Sequence, residues 1–456
     1  MQEKNKLSRR QFLFVTGAAG LSLGLAACAP AATSVPAATD QESGAAAPSE
    51  EPITLLFNMR AGGDQGEPAI YVRRPATFME EHPNIEIELA PIPGGEYDAK
   101  IVTAASAGTI GDVIFTSDVW TLHKRLIKLG VIAPVDEHLE ANGIDKSEWI
   151  DAAVDTLTHE GTMYGLPKAS HPGQAYMWIN HSLFEEAGLD IPETYGASFE
   201  DVTAWAEALT QGPEDDREIY GVMYVSRGIQ SIFNGARQFG TYENNEEGTE
   251  CLANNDQWMQ YVTWVKDLYD RNLTTVESAL PSGGARALFF AGRLGIRHDS
   301  RSMYRRVVAA MKEVENPFEW SVIQAPRGPD PKGWVASVDT HSATTNTKHP
   351  DEAFLFSYAL ADETFTRYVA EDQGYLTARA DDVETVEDFI YPFLELQFQC
   401  MVEEEKFRQP ANARGREVET VYNNELDKIL LGEAELDAAF MQNLKEAVDE
   451  VLDKPF

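Results

Sequence analysis

The sequence predicts an α/β protein built as two lobes. Its 456 residues exceed what one compact core usually organises and suit two lobes of ordinary size. Short apolar runs alternate with helical stretches through most of the chain, the pattern of parallel or mixed sheets covered on both faces. Hydrophobic residues make up 43% and aromatics 10%, enough for real cores, so a largely disordered chain or a coiled coil is excluded.

The elements follow in order. Ile53 to Phe57 is an apolar run feeding the polar, Gly-rich loop Asn58 to Glu67, and reads as a buried strand. Pro68 to His82 reads as a helix, with Pro75 expected to kink or delay it. Ile85 to Leu89 alternates apolar and acidic residues, as a strand at a sheet margin does. Tyr97 to Ala107 is a helix stopped by Gly108, Asp112 to Phe115 the next buried strand, and Trp120 to Leu129 a helix stopped by Gly130. A second α/β region opens after Tyr164-Gly165-Leu166-Pro167, with a strand at Ala175 to Ile179 and a helix at Ser182 to Ala187. Ser198 is placed to cap the helix Phe199 to Leu209, whose Glu200 and Asp201 suit its positive end. Helices follow at Trp258 to Tyr269, Arg286 to Phe290 and Tyr304 to Val314, then a strand at Trp320 to Ile323. Pro350 to Leu360 is a helix opening on proline and two acids. The last hundred or so residues read as acidic helices with solvated faces, and there is no internal repeat.

The first residues read as an address. Ser8-Arg9-Arg10-Gln11-Phe12-Leu13 precedes an apolar, Gly/Ala-rich run from Phe14 to Ala27, like a twin-arginine export signal. The run ends Leu25-Ala26-Ala27-Cys28, which resembles a bacterial lipobox in which Cys28 is lipidated. Residues 1–27 are therefore expected to be a twin-arginine lipoprotein signal. Residues 28–52, rich in Ala, Pro, Ser and Thr, are expected to be a flexible tether. The formal net charge is −37, and removing residues 1–27, with Lys4, Lys6, Arg9 and Arg10 against Glu3, takes it to −40. Such a chain repels phosphate backbones, and no basic patch argues for nucleic acid.

Several chemistries are excluded. Three cysteines are too few for a disulfide scaffold and lack zinc-ligand spacing, although Cys251 and Cys400 could pair outside the cytoplasm. There is no Gly-x-Ser-x-Gly elbow, and His171, His298, His341 and His349 form no ligand pattern. Acid pairs such as Glu80-Glu81 and Asp215-Asp216 suit solvated faces better than a glycosidase site. The reading is of a protein with no catalytic residues, no metal and no cofactor.

Short motifs then carry a resemblance. Glu81-His82-Pro83-Asn84-Ile85, Gly111-Asp112-Val113-Ile114, Tyr164-Gly165-Leu166-Pro167, Trp178-Ile179-Asn180 with Leu183-Phe184 and Ala187-Gly188-Leu189, Phe290-Ala291-Gly292-Arg293, Ala325-Pro326-Arg327-Gly328-Pro329 and Lys348-His349-Pro350-Asp351-Glu352-Ala353 occur in one order. Together they resemble family 1 extracellular solute-binding proteins, the sugar-binding lipoproteins of ABC importers that include maltose-binding protein. The resemblance covers nearly all of residues 53–456, although Gly111 stands where the family usually has proline. It implies a two-lobed periplasmic-binding-protein-like fold (type II) with hinge crossovers and a central ligand cleft. Lobe one would comprise residues 53–171 and 340–374, and lobe two residues 172–339 and 375–456. It also implies a monomer outside the cytoplasm, anchored to the cell membrane through Cys28, that captures a carbohydrate by hinge closure and delivers it to an ABC permease.

Sugars present apolar ring faces and a rim of hydroxyls, so aromatic, Asp, Asn and Arg side chains on loops facing the cleft are the candidates. The first loop offers Phe57, Asn58, Arg60 and Asp64, and the second Thr116, Asp118 and Trp120. Asp118 stands equally well as a helix cap, and Trp120 as a core residue. Tyr176 and Trp178 lie on a crossover strand and share a face with Asn180. Arg227, Trp334, Asp339 and Tyr375 lie near loops or crossovers that the resemblance places at the ligand. Many relatives carry a stacking Trp after the Phe290-Gly292 motif, whereas here Gly295 to Ser302 carries Arg297, Asp299 and Arg301. With Arg60 and Arg227 these residues raise the alternative of an acidic sugar such as a uronate. A polyamine or glycerophosphodiester is a further alternative.

Overall fold

The computed structural model describes residues 52–61, 67–117, 122–213, 217–224, 227–275, 280, 284–385, 394–402 and 414–454. Eleven strands are found among them: β1 (Ile53–Ala61), β2 (Ile85–Pro93), β3 (Val113–Ser117), β4 (Thr158–His159), β5 (Thr162–Met163), β6 (Leu166–His171), β7 (Tyr176–Asn180), β8 (Tyr220–Met223), β9 (Leu294–Asp299), β10 (Trp320–Gln324) and β11 (Ser337–Ala343). One five-stranded sheet has the order β2-β1-β3-β11-β6 and one four-stranded sheet the order β10-β7-β9-β8, while β4 and β5 form a small hairpin. In the first sheet β1 is parallel to β2 and β3, and β11 runs antiparallel to β3 and β6. In the second, β8 and β9 are parallel and β7 is antiparallel to both β9 and β10. This is the α/β, two-sheet architecture the alternating pattern predicted.

Local chemistry sets the boundaries. Gly108 ends the helix Tyr97–Ala107 in the left-handed region at φ 68°, donating its N–H to carbonyls of the last turn. Ser198 caps the helix Phe199–Leu209 and Asp201 returns a hydrogen bond to the Ser198 backbone, a reciprocal box that satisfies two end groups. The helix Glu67–Glu81 contains Pro75. It is tied down by Arg74, which donates to the carbonyl of Ala359 at 3.0 Å and to Asp362 at 2.6 Å.

β8, β9 and β11 escape a sequence reading. β9 is buried along its whole length although it reads Leu-Gly-Ile-Arg-His-Asp, because its charges find partners within the fold. Cys251 and Cys400 are free thiols, so the pairing considered from sequence is corrected. Cys251 lies 3.2 Å from the Tyr422 hydroxyl, and burial pushes its thiol up to about 11. The Cys400 sulfur accepts from Gln324 at 3.4 Å.

The chain passes between the sheets at 172–175, between β6 and β7, and at 325–336, between β10 and β11. A further passage follows Gly374, after the helix Glu363–Gln373. The helix Ile229–Gln238 lies against the first two. Gly235 permits its approach to the helix Asp256–Asp270, because a Cβ there would lie 2.1 Å from the Tyr261 ring. Gly235→Ala is expected to destabilise the fold by about 1–3 kcal/mol through overpacking, read as a lower midpoint in urea unfolding.

Candidate ligand-binding cleft

Strand register decides which residues share an edge. In the first sheet, Ser117 pairs with Asp339, and Ser337 pairs with His171. Ser117, Asp339 and His171 therefore stand at one edge, together with the C-terminal end of β1 at Arg60. In the second sheet, Tyr176 pairs with both Asp299 and Gln324, and Met223 pairs with Arg297. The passages leave the sheets at these edges, so the edges border the space between them. Ends of strands next to a topological crossing are where α/β proteins hold ligands.

Of the candidates on the first sheet, Arg60 retains partial exposure, with its guanidinium 6.0 Å from the Phe115 ring centroid. Three others are turned into the lobe. Phe57 is wholly buried, edge-on to Tyr71, His341 and Phe356. Asn58 uses its side-chain oxygen to accept from the Gly111 N–H at 2.7 Å, which fixes β1 to the turn before β3. Thr116 is wholly buried and bonded to His123 at 2.9 Å. All three have spent their side chains on the lobe interior. Asp64, Asp118 and Trp120, like Cys28, lie outside the described residues.

On the second sheet, Tyr176 and Trp178 are buried, the latter 5.6 Å from the Trp320 ring. Asn180, on the same face, caps the helix His181–Glu186. Asp299 accepts two hydrogen bonds from Arg286, at 2.9 and 3.0 Å, and one from Arg297 at 3.2 Å. Burial would raise its pKa, but the Arg286 hydrogen bonds and the charges of Arg297 and Arg286 outweigh that and hold it below the usual carboxylate value. Asp299 is thus committed to an internal arginine fork. Arg227 is half-exposed and lies 3.0 Å from Asp427. Trp334 is buried beneath Arg327, whose guanidinium is 5.5 Å from its ring.

The structure brings Arg301, Asp339 and Tyr375 together. The Arg301 guanidinium lies 3.9 Å over the Tyr375 ring and 3.9 Å from the Asp339 carboxylate. It also donates to the carbonyls of Ser170 at 3.4 Å and Leu376 at 3.3 Å. Beside it, a small crevice is lined by Ala152, Ser170, His171, Pro172, Ala336 and Met401. His171 is held neutral by burial and by the charges of Arg301 and Lys168, which lower its pKa well below normal. Its Nδ1 accepts from the Gly173 N–H at 3.2 Å, which assigns the proton to Nε2 and makes that nitrogen a neutral donor.

Sequence reasoning missed several of these residues. The Ser117 hydroxyl is buried at the end of β3 with no hydrogen bond among the described residues. The helix Gly415–Leu430 carries Arg416, Glu419, Asn423 and Asp427 at helical spacing. Arg416 reaches Asp98 at 3.3 Å, Asn423 accepts from the Gly228 N–H at 3.0 Å, and Asp427 meets Arg227. This stripe joins the helix Gly415–Leu430 to the helix Tyr97–Ala107 and to the loop before the helix Ile229–Gln238. Its i, i+3, i+7, i+11 pattern was the available signal, but it reads equally as a solvated face. Among the described residues no group of three or more His, Cys, Asp or Glu side chains is placed to hold a metal ion.

The sequence pattern of the family described as bacterial extracellular solute-binding protein matches residues 63–364. The chain belongs to this family. The fold agrees. An ABC substrate-binding protein of Listeria monocytogenes, solved with cycloalternan, superposes with a TM-score of 0.75 at 16% identity, covering 88% of this chain and 99% of that one. The GacH receptor of Streptomyces glaucescens, solved unliganded and with acarbose, gives 0.74 at 19% identity with the same coverage. In sequence, a protein of Brucella abortus named as a binding protein is 22% identical over 388 residues, 83% of this chain and 88% of its own. Lipoprotein LipO of Bacillus subtilis is 22% identical over 248 residues, 52% of this chain and 48% of its own. Family and fold are therefore those of binding proteins, and the two-lobed architecture expected from the motifs stands.

Asp382, beyond the Gly374 passage, gives a pH test. It is buried, accepts from the Thr377 hydroxyl at 2.7 Å, and leaves its other oxygen without a partner among the described residues. Burial raises its pKa to about 7. The folded state therefore holds a proton that the unfolded chain releases near pH 4, so this group's contribution falls as pH rises from about 4 to about 7 and is flat above. Its slope is on the order of 1.4 kcal/mol per pH unit. Asp382→Asn is expected to remove that slope in urea unfolding measured across this range.

Proposed function

We propose that this protein captures a neutral carbohydrate between its lobes, by hinge closure, for an ABC importer. The observation that carries the reading is the internal pairing of charge at the cleft edges. Arg227 faces Asp427, Asp299 faces Arg286 and Arg297, and Arg301 faces Asp339. A ligand carboxylate would have to compete with these existing partners, while a hydroxyl can add to them, since each group keeps hydrogen-bonding capacity. Neutral donors such as His171 suit a sugar's hydroxyl rim. The solved neighbours bound to cycloalternan and acarbose support the ligand class. The same pairing argues against the acidic-sugar alternative, and the polyamine alternative gains nothing from edges rich in arginine.

The proposal extends to location. Cys28 in its Leu-Ala-Ala-Cys context would carry the lipid, residues 28–52 would tether the lobes, and the twin arginines would direct export. The proposed lobes are those expected, 53–171 with 340–374 and 172–339 with 375–456, except that Ser337, Val338 and Asp339 go with the first, because β11 lies in the first sheet. The protein would act as a monomer with a membrane permease. The name of LipO supports a lipoprotein reading.

A thermal-shift screen across neutral oligosaccharides, uronates and polyamines tests the ligand. A neutral oligosaccharide at about a hundred times its dissociation constant is expected to add about 2.7 kcal/mol, with no product by chromatography. Arg227→Ala should leave neutral-sugar affinity within a few-fold. Stabilisation by uronates alone, abolished in that variant, would reverse the choice of ligand. For the anchor, Cys28→Ser is expected to move the protein from the membrane fraction to the soluble one.

A further inference from the structure

The helix Ile229–Gln238 grips the chain where it passes between the sheets. Its Ser231 hydroxyl bonds the Gln174 side chain, and Asn234 donates to the Pro172 carbonyl at 3.1 Å while accepting from the Val335 N–H. Arg237 donates to the Trp334 carbonyl at 3.1 Å and is held by Glu243 at 2.6 Å. Gln238 donates to the Gly333 carbonyl at 2.9 Å. The two passages also bond each other, Ala325 N–H to Ala175 carbonyl at 2.8 Å. Both passages therefore move with the second sheet. Relative rotation is left to the junctions with the first sheet, at His171/Pro172 and Ala336/Ser337. The register between β6 and β11 shifts beside them, at Asp339/Thr340.

Arg301 follows β9 of the second sheet yet reaches past those junctions. It touches Ser170, the last residue but one of β6, and Asp339, the third residue of β11. It also covers Tyr375 and bonds the Leu376 carbonyl in the Gly374 passage. Arg305, one turn further on, donates to Gln373 at 3.0 Å at the start of that passage. We propose that Arg301 is the positioning residue of the hinge: a buried guanidinium, carried by the second lobe, that bridges the bending junctions and sets the resting angle between the lobes. Only a planar fork fits this task, because it stacks on the ring while its edge donates to carbonyls and a carboxylate on different strands. Lysine would keep the charge and lose the stack and the divergent donors. The inference concerns the hinge and is independent of ligand identity.

The test is the interlobe distance in the absence of ligand, by double electron–electron resonance. Spin labels are placed at Ser106→Cys and Thr420→Cys, both exposed. The background is full-length Cys28→Ser, which leaves the buried Cys251 and Cys400 as the native thiols. Arg301→Gln is expected to broaden the distribution and to move its mean by more than the wild-type width. Arg301→Lys should give an intermediate shift, and Asp339→Asn a shift in the same direction. The two conservative variants carry the test where Arg301→Gln fails to fold. Asn234→Ala should lower the melting temperature with less effect on the mean distance, since its bonds move with one lobe. Wild-type distributions in the folded Arg301 and Asp339 variants would overturn the proposal, and so would a shift confined to Asn234→Ala.

Discussion

Irregular backbone that crosses a protein interior must find a partner for each N–H and C=O it carries, and the rest of this architecture depends on how that demand is met. The passages at 172–175 and 325–336 have no sheet to complete their hydrogen bonding. Asn234, Arg237 and Gln238 supply part of it from one helix, with Glu243 neutralising the buried arginine. Helix and passages are thereby tied to one another, and in the proposed hinge motion would be confined to short junctions. A binding protein that signals occupancy by its hinge angle needs that confinement, because flexibility spread along the connections would blur the two states.

Charge follows the same logic at the cleft edges. A −37 chain could be expected to leave a strongly negative cleft. Buried and half-buried arginines instead meet acids there. Asp299 between Arg286 and Arg297 is the clearest case, its carboxylate held ionised against the cost of burial. The result is a space bordered by oriented donors and acceptors whose arginines largely face acids already, an environment suited to a polyhydroxylated, uncharged solute.

Parts of the fold were legible because local chemistry is decisive there. Gly108 and Ser198 end and begin helices through interactions within a few residues of themselves, and the alternation of Ile85 to Leu89 marks a strand with one buried face. β9 was not legible. Its Arg297, His298 and Asp299 look like a solvated segment until Arg286, ten or so residues away, and the Gln174 carbonyl, more than a hundred residues away, are brought to them. The candidate site divides likewise. Arg301, Asp339 and Tyr375 were each singled out by position and do converge. Phe57, Asn58 and Thr116 were singled out by the same reasoning and are consumed by the lobe interior, because a residue near the end of a strand can turn to either face. Arg416, Glu419, Asn423 and Asp427 were passed over because an acidic helix stripe looks the same whether it meets water or another element.

By itself the sequence determined the α/β class, the family, the candidate address around Cys28 and the helix boundaries set by caps and glycines. These rest on motifs and on interactions between neighbours along the chain. Only the tertiary structure decided which arginines are spent on internal partners, which candidate aromatics are core, that Cys251 and Cys400 stay apart, and that Arg301 reaches Ser170, Asp339 and Leu376. Those outcomes depend on groups separated by tens to hundreds of residues, whose approach is fixed by sheet order and register, and composition carries no record of either.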